Sequence, residues 1–130
     1  MPVRIVDASA LGALVFGEPK AEEVAGTLGD SSLAAPALIW FELASICWHK
    51  IKAHPAKRTQ ILSAFSLAEK LAIEIVEVDH GAIVNLAEKT GLTTYDASYL
   101  FLAWHLKGEL ITLDAKMQRA SKALASQRSK

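Results

Sequence analysis

The sequence predicts an α/β three-layer sandwich, with a central parallel sheet of about four strands flanked by helices. Three observations lead there. Four short apolar runs, near residues 3–6, 32–35, 73–78 and 110–113, read as strands. One or two helical segments separate each run from the next, the pattern of parallel strands joined by helical crossovers. Hydrophobic residues make up 52% of the 130 positions, which argues for a compact globule and against disorder. No linker, repeat or low-complexity stretch divides the chain, so residues 1–130 are expected to form a single domain.

Val3 to Val6 is the first strand, with Arg4 its one polar interruption. Ser9 to Phe16 reads as a helix stopped by Gly17, and Glu18-Pro19 opens a second that runs to Leu28 before the stop signal Gly29-Asp30. Ser32 to Ala35 is a second strand. Pro36 suits the first turn of a long helix towards Ala53, because its missing N–H is not needed there. His54-Pro55 breaks that helix, and another spans Ala56 to Leu71. Ile73 to Val78 is the third strand, after which Asp79 caps a helix to Lys89 that Gly91 ends. Thr93-Thr94 introduces a helix from Tyr95 to Lys107, with Gly108 as its stop. Leu110 to Leu113 is the fourth strand, and Ala115 to Ala125 a last helix.

Fourteen basic and fourteen acidic residues cancel, so no global field announces a polyanionic partner. Their distribution is uneven. Lys50, Lys52, Lys57 and Arg58 cluster with His49 and His54 in a stretch without acids, and only basic charges follow Asp114: Lys116, Arg119, Lys122, Arg128 and Lys130. Two basic stretches around an acidic centre suit an RNA-binding cleft, although a solvated helix face has the same pattern. One cysteine, Cys47, excludes an internal disulfide framework and fits a reducing cytosol. There is no signal-peptide pattern, and the longest apolar stretch falls short of the roughly 18 residues of a membrane span. A soluble, cytoplasmic protein is expected.

Four acids stand where folding alone explains them poorly. Asp7 ends the first strand, Glu42 is the only charge between Ser32 and Trp48, Asp96 is the only one between Lys89 and Lys107, and Asp114 closes the fourth strand. Isolated carboxylates in apolar surroundings are costly unless paired, hydrogen-bonded or bound to a cation. In open parallel sheets ligands bind beyond the carboxyl ends of the strands, where Asp7 and Asp114 lie. Three or four carboxylates there suit Mg2+ or Mn2+, which prefer oxygen donors and keep several waters. Such ions activate water and neutralise charge developing on a phosphodiester, with no side-chain nucleophile required. Ser9 and Thr112 sit two residues from Asp7 and Asp114, placed to steady a carboxylate or a metal-bound water. Each aspartate also lies where helix caps and first-turn acids are common. Glu42, inside a helix, has no such alternative role.

The segments Val6-Asp7-Ala8-Ser9, Phe41-Glu42-Leu43, Thr94-Tyr95-Asp96-Ala97 and Thr112-Leu113-Asp114 resemble the PIN-domain ribonucleases, and more narrowly the VapC-type toxins of prokaryotic toxin–antitoxin systems. The resemblance covers nearly the whole chain. It implies a strand order close to 3-2-1-4 and metal-dependent endonucleolytic cleavage of RNA with Mg2+ or Mn2+. Asp7, Glu42 and Asp96 would be the core acidic triad, Asp114 the fourth acid, and Ser9 and Thr112 the supporting hydroxyls. One mild departure is Ala8, where relatives carry threonine or serine. The resemblance further implies a homodimer and a cognate antitoxin laid across the toxin, with Leu38, Trp40, Phe41 and Trp48 as groove candidates. Lys50, Lys52, Lys57, Arg58, Lys116 and Arg119 are the candidates for holding the RNA backbone.

Other chemistries find little support. His49, His54, His80 and His105 show no metal-ligand spacing, and neither a G-x-S-x-G elbow nor a glycine-rich nucleotide loop is present. Tyr99 and Trp104 suit burial on an apolar helix better than base stacking. The rivals from another class are a receiver-like acidic pocket and a non-catalytic PIN-like binding module. A receiver needs paired acids after the first strand, where this chain has one, and has no use for Glu42.

Overall fold

In the computed structural model, which describes residues 3–128, the chain runs through β1 (Val3–Val6), α1 (Ala8–Val15), α2 (Ala21–Leu28), β2 (Ser32–Ala35) and α3 (Leu38–Ala53). It continues through a 3-10 turn (Pro55–Lys57), α4 (Arg58–Ala68), β3 (Ile73–Ile75), α5 (His80–Thr90), α6 (Thr94–Leu106), β4 (Glu109–Ile111) and α7 (Ala115–Arg128). Lys130 and the side chain of Arg128, counted above among the basic tail, lie outside the described residues.

All three strand pairings are parallel, and the order is β3-β2-β1-β4, as the resemblance implied. It differs from the 2-1-3-4-5 order of receiver domains. β1 is central: Ile5 stands opposite Ala34 of β2 on one side and Leu110 of β4 on the other. Ile5 and Val6 have no exposed surface, as strands covered on both faces require. Two helix groups do the covering. α1 packs against α2, α3 and α4, whereas α6 packs against α5, α7, β1 and β4. Right-handed crossovers put these groups on opposite faces, because the chain moves from β1 to β2 to β3 in one direction and from β3 back to β4 in the other.

Several boundaries differ from the sequence expectation, each for a local reason. Glu18-Pro19-Lys20 forms a turn, with Glu18 N–H donating to Ala13 O at 2.9 Å, so α2 starts at Ala21. Pro36 lies just ahead of α3, its carbonyl accepting from Ile39 N–H at 3.0 Å. Pro55 starts a 3-10 turn before α4, which ends at Ala68. β3 ends at Ile75 and β4 at Ile111, shorter than expected, while α7 extends to Arg128. Leu113 and Asp114 thereby leave the strand and lie in the loop that feeds α7.

Gly108 does not stop α6 by its own conformation. The left-handed residue is Lys107, at φ 55°. Gly108 is required for space: a Cβ there would sit 2.7 Å from Ile5 Cδ1 and 2.8 Å from the carbonyl oxygen of Val3. Backbone cannot yield as a flexible side chain does, so Gly108→Ala should force β4 away from β1. The expected cost is about 1–3 kcal/mol, measured by urea unfolding; a wild-type midpoint would show that the strands tolerate the shift.

Candidate active site

The pairing of β1 with β4 builds half of the site. Val6 stands opposite Ile111, and Asp7 N–H continues the ladder to Ile111 O at 3.2 Å, so Asp7 and Thr112 emerge side by side. Asp7 is only 6% exposed. Its Oδ1 accepts from Ala10 N–H at 3.0 Å, capping α1, and from the Ser9 hydroxyl at 2.7 Å. Ser9 Oγ lies 3.3 Å from Thr112 Oγ1 and accepts from Leu113 N–H at 3.0 Å. Thr112 Oγ1 in turn accepts from Asp114 N–H at 3.1 Å. Ser9 and Thr112 thus tie the ends of both strands into one polar network.

Asp114 is exposed and begins α7, its Oδ1 accepting from Lys116 N–H at 2.8 Å and Met117 N–H at 3.1 Å. Asp96, half-buried, stands in the first turn of α6, where Thr93 supplies the cap by accepting from Asp96 N–H at 3.0 Å. The capping roles foreseen for Asp7 and Asp114 are real, and they coexist with a position at the site. For Asp96 the cap is Thr93 instead. Glu42 projects from α3 and accepts a 2.5 Å hydrogen bond from the hydroxyl of Tyr99 on α6. Tyr99 is 1% exposed, so burial is its role rather than base stacking. Its contact with Glu42 was not foreseen. The available signal was a polar-tipped aromatic three residues after Asp96, on the helix face that already carries an acid.

The four carboxylates act on one another electrostatically. Burial pushes the Asp7 carboxyl above its ordinary value, opposed by hydrogen bonds from Thr112, Ala10 and Ser9 and reinforced by the charge of Asp96. Burial also raises Glu42, against the Tyr99 hydrogen bond, and the charges of Asp96 and Asp7 add to the rise. Asp96 is raised by burial and then by Asp114, while Thr93 and Lys116 pull it down. Burial and the neighbouring Glu42 push the Tyr99 phenol upward.

Among the described residues, no three such side chains converge to ligating distance. A hard divalent ion that keeps part of its water shell needs only one or two direct carboxylates. The donor set therefore fits Mg2+ or Mn2+: charged oxygens within electrostatic reach, hydroxyls behind them, and no thiolate or imidazole among them.

A raised carboxylate binds its proton more tightly in the folded chain than in the unfolded one. The contribution of these groups to stability is therefore complete below the ordinary carboxylate range and shrinks as pH rises through the raised values. In chelator, Asp96→Asn should melt above wild type near neutral pH, with the gap closing below about pH 4. Thermal unfolding across that range checks it; a lower melting temperature for the variant at neutral pH would remove repulsion as the governing effect.

The basic candidates divide by position. Lys50 is engaged by Glu18 at 2.5 Å and lies over the Phe16 ring, while Lys52 lies over Trp48. Lys57 closes the 3-10 turn and Arg58 starts α4, both exposed. Lys116 is next to the acids: its Nζ donates to Gly91 O at 3.1 Å and its charge is felt by Asp96. Lys116, Arg119 and Lys89 line a groove of about 390 Å³ between α5 and α7. The structure thus links Asp7, Ser9, Thr112 and Asp114 in one hydrogen-bonded network, sets Asp96, Glu42 and Lys116 within electrostatic reach of one or more of these acids or of one another, and leaves Lys50 and Lys52 committed to other neighbours.

Residues 4–123 match the family model described as PIN domain. The chain is 30% identical to a protein named Ribonuclease VapC3 from Pyrobaculum aerophilum, over 94% of this chain and 97% of that one. The crystal structure of PAE2754 from Pyrobaculum aerophilum superposes with a TM-score of 0.76 at 20% identity, covering 99% of this chain and 97% of the other, a likeness of fold. The chain belongs to the PIN domain family.

Proposed function

We propose that the chain is a metal-dependent endoribonuclease whose site is formed by Asp7, Glu42, Asp96 and Asp114, and that it serves as the toxin of a toxin–antitoxin pair. The observation that carries this reading is the hydrogen-bonded network of Ser9 and Thr112 that joins Asp7 to the loop of Asp114 at the carboxyl ends of β1 and β4, with Asp96 and Glu42 near enough for the charge of Asp96 to act on Asp7 and Glu42. Kinship with a protein named Ribonuclease VapC3 supports RNA as the substrate class.

Asp7, Asp96 and Asp114, with Glu42 directly or through water, would hold Mg2+ or Mn2+. A bound ion of this kind supplies an activated water and neutralises charge developing on the scissile phosphate. The chain's own residues do the rest. Ser9 and Thr112 fix Asp7 against β4, Thr93 fixes the first turn that carries Asp96, and Tyr99 occupies one oxygen of Glu42. Lys116, whose charge is felt by Asp96, and Arg119, which lines the same groove as Lys116, are the cations we assign to the RNA backbone. Lys57 and Arg58 stay candidates for more distant phosphates.

A protein partner is supported by apolar side chains left exposed. Phe41 is 77% and Trp48 55% exposed on α3, one heptad apart. Leu38, Ile75, Val84 and Tyr95 line a groove of about 770 Å³ that runs up to the first turn of α6. Trp40, by contrast, packs against the core. We read these surfaces as the places where an antitoxin and a second copy of the chain attach. None of the described helices is long and apolar enough to cross a membrane.

Purified chain incubated with total RNA should give discrete, mapped cuts in Mn2+ or Mg2+ and none in chelator. Asp7→Asn and Asp96→Asn should each lower the rate at least about 100-fold. Folded wild type that cuts nothing in either metal, or variants that cut as wild type does, would put the binding-module reading ahead. Saturating Mn2+ should also stabilise the fold, by about 2.7 kcal/mol at a hundred times Kd; an unchanged melting temperature would contradict an ion site. Lys116→Ala with Arg119→Ala should flatten the salt dependence of RNA binding by about 0.7 log units per lost phosphate contact, and an unaltered slope would take both out of the interface.

A further inference from the structure

Tyr99 is the one core aromatic whose hydroxyl is spent on a carboxylate of the site. A buried tyrosine needs a hydrogen-bond acceptor for its O–H, and a backbone carbonyl serves when packing alone is at stake. Here the acceptor is Glu42 Oε1, 57 residues earlier in the chain. Glu42 stands on a helix whose buried residues are Ile39, Leu43 and Cys47, and its carboxylate meets the Tyr99 hydroxyl as its hydrogen-bond donor while the charges of Asp96 and Asp7 repel it. A glutamate brings several freely rotating bonds to the site, and immobilising them costs conformational entropy. The Tyr99 ring, buried in the core, removes that freedom by holding one carboxylate oxygen. The same helix carries Asp96 three residues earlier, so α6 sets the location of one acid directly and of a second through Tyr99.

We propose that Tyr99 is a positioning residue: through its hydrogen bond it fixes the Glu42 carboxylate relative to Asp96 and so presets the site for a divalent ion. This rests on the metal-dependent ribonuclease reading above. Removing a group that orients a ligand, while leaving the ligand itself, characteristically costs 10–100-fold in metal affinity or activity.

The test is Tyr99→Phe, which keeps the ring and deletes the hydroxyl. Mn2+ affinity is read from the electron paramagnetic resonance signal of the free ion, and RNA cleavage is measured in parallel. The expected result is a loss of about tenfold or more in both, with far-UV circular dichroism unchanged. In a Glu42→Ala background, Tyr99→Phe should leave the residual Mn2+ affinity within about twofold, because the hydroxyl then has nothing to position. A Tyr99→Phe chain that fails to fold would make the hydroxyl a structural bond and overturns the assignment. Wild-type Mn2+ affinity in the variant, or an equal loss with and without Glu42, overturns the assignment alone. Wild type that takes up no Mn2+ overturns the metal reading and this assignment with it.

Discussion

A charged group closed off from water has to be compensated where it stands, and Asp7 imposes that requirement on everything around it. It is almost fully buried, at the end of the central strand. Compensation comes from the first turn of α1, from Ser9 and from the neighbouring strand end at Thr112. The last of these exists only while β1 and β4 keep their register, and that register needs a residue without a side chain at Gly108. The position of the site is thus a by-product of solving one desolvation problem.

The remaining acids follow a graded arrangement. Asp7 is buried, Glu42 and Asp96 are half-buried, and Asp114 is exposed. Each is held by a different device: a strand ladder and helix cap for Asp7, a tyrosine for Glu42, a threonine-capped helix turn for Asp96, and its own cap for Asp114. Asp7 and Asp114 share the Ser9–Thr112 network, whereas Asp96 and Glu42 are held from α6 by Thr93 and Tyr99. The core tolerates this because the apolar residues beneath, such as Leu11, Ile39, Leu43 and Leu100, are completely or almost completely enclosed.

Much of this was readable in the chain. The alternation of short apolar runs with helical segments specified the layered parallel sheet, and the isolation of Asp7, Glu42, Asp96 and Asp114 from other charges marked the acids before any coordinates. What did not show was whatever depends on tertiary geometry. Lys50 and Lys52 looked free because Glu18, Phe16 and Trp48 are remote or neutral in sequence terms, and only packing brings them into contact. Tyr99 looked like an ordinary core aromatic, since its acceptor lies on another helix. Gly108 gave the right residue for the wrong reason: helix-stop patterning pointed to it, whereas the left-handed turn falls on Lys107 and crowding against Val3 and Ile5 demands the glycine.

The central strand comes first in the chain, and its partner β4 comes almost last, with Arg4 opposite Glu109. Synthesis runs from the amino terminus, so Asp7 is made about a hundred residues before the Thr112 and Asp114 that come to stand beside it. Pairings this distant in sequence close late and slowly. On the ribonuclease reading, a chain in which β4 has yet to dock lacks part of its acidic site.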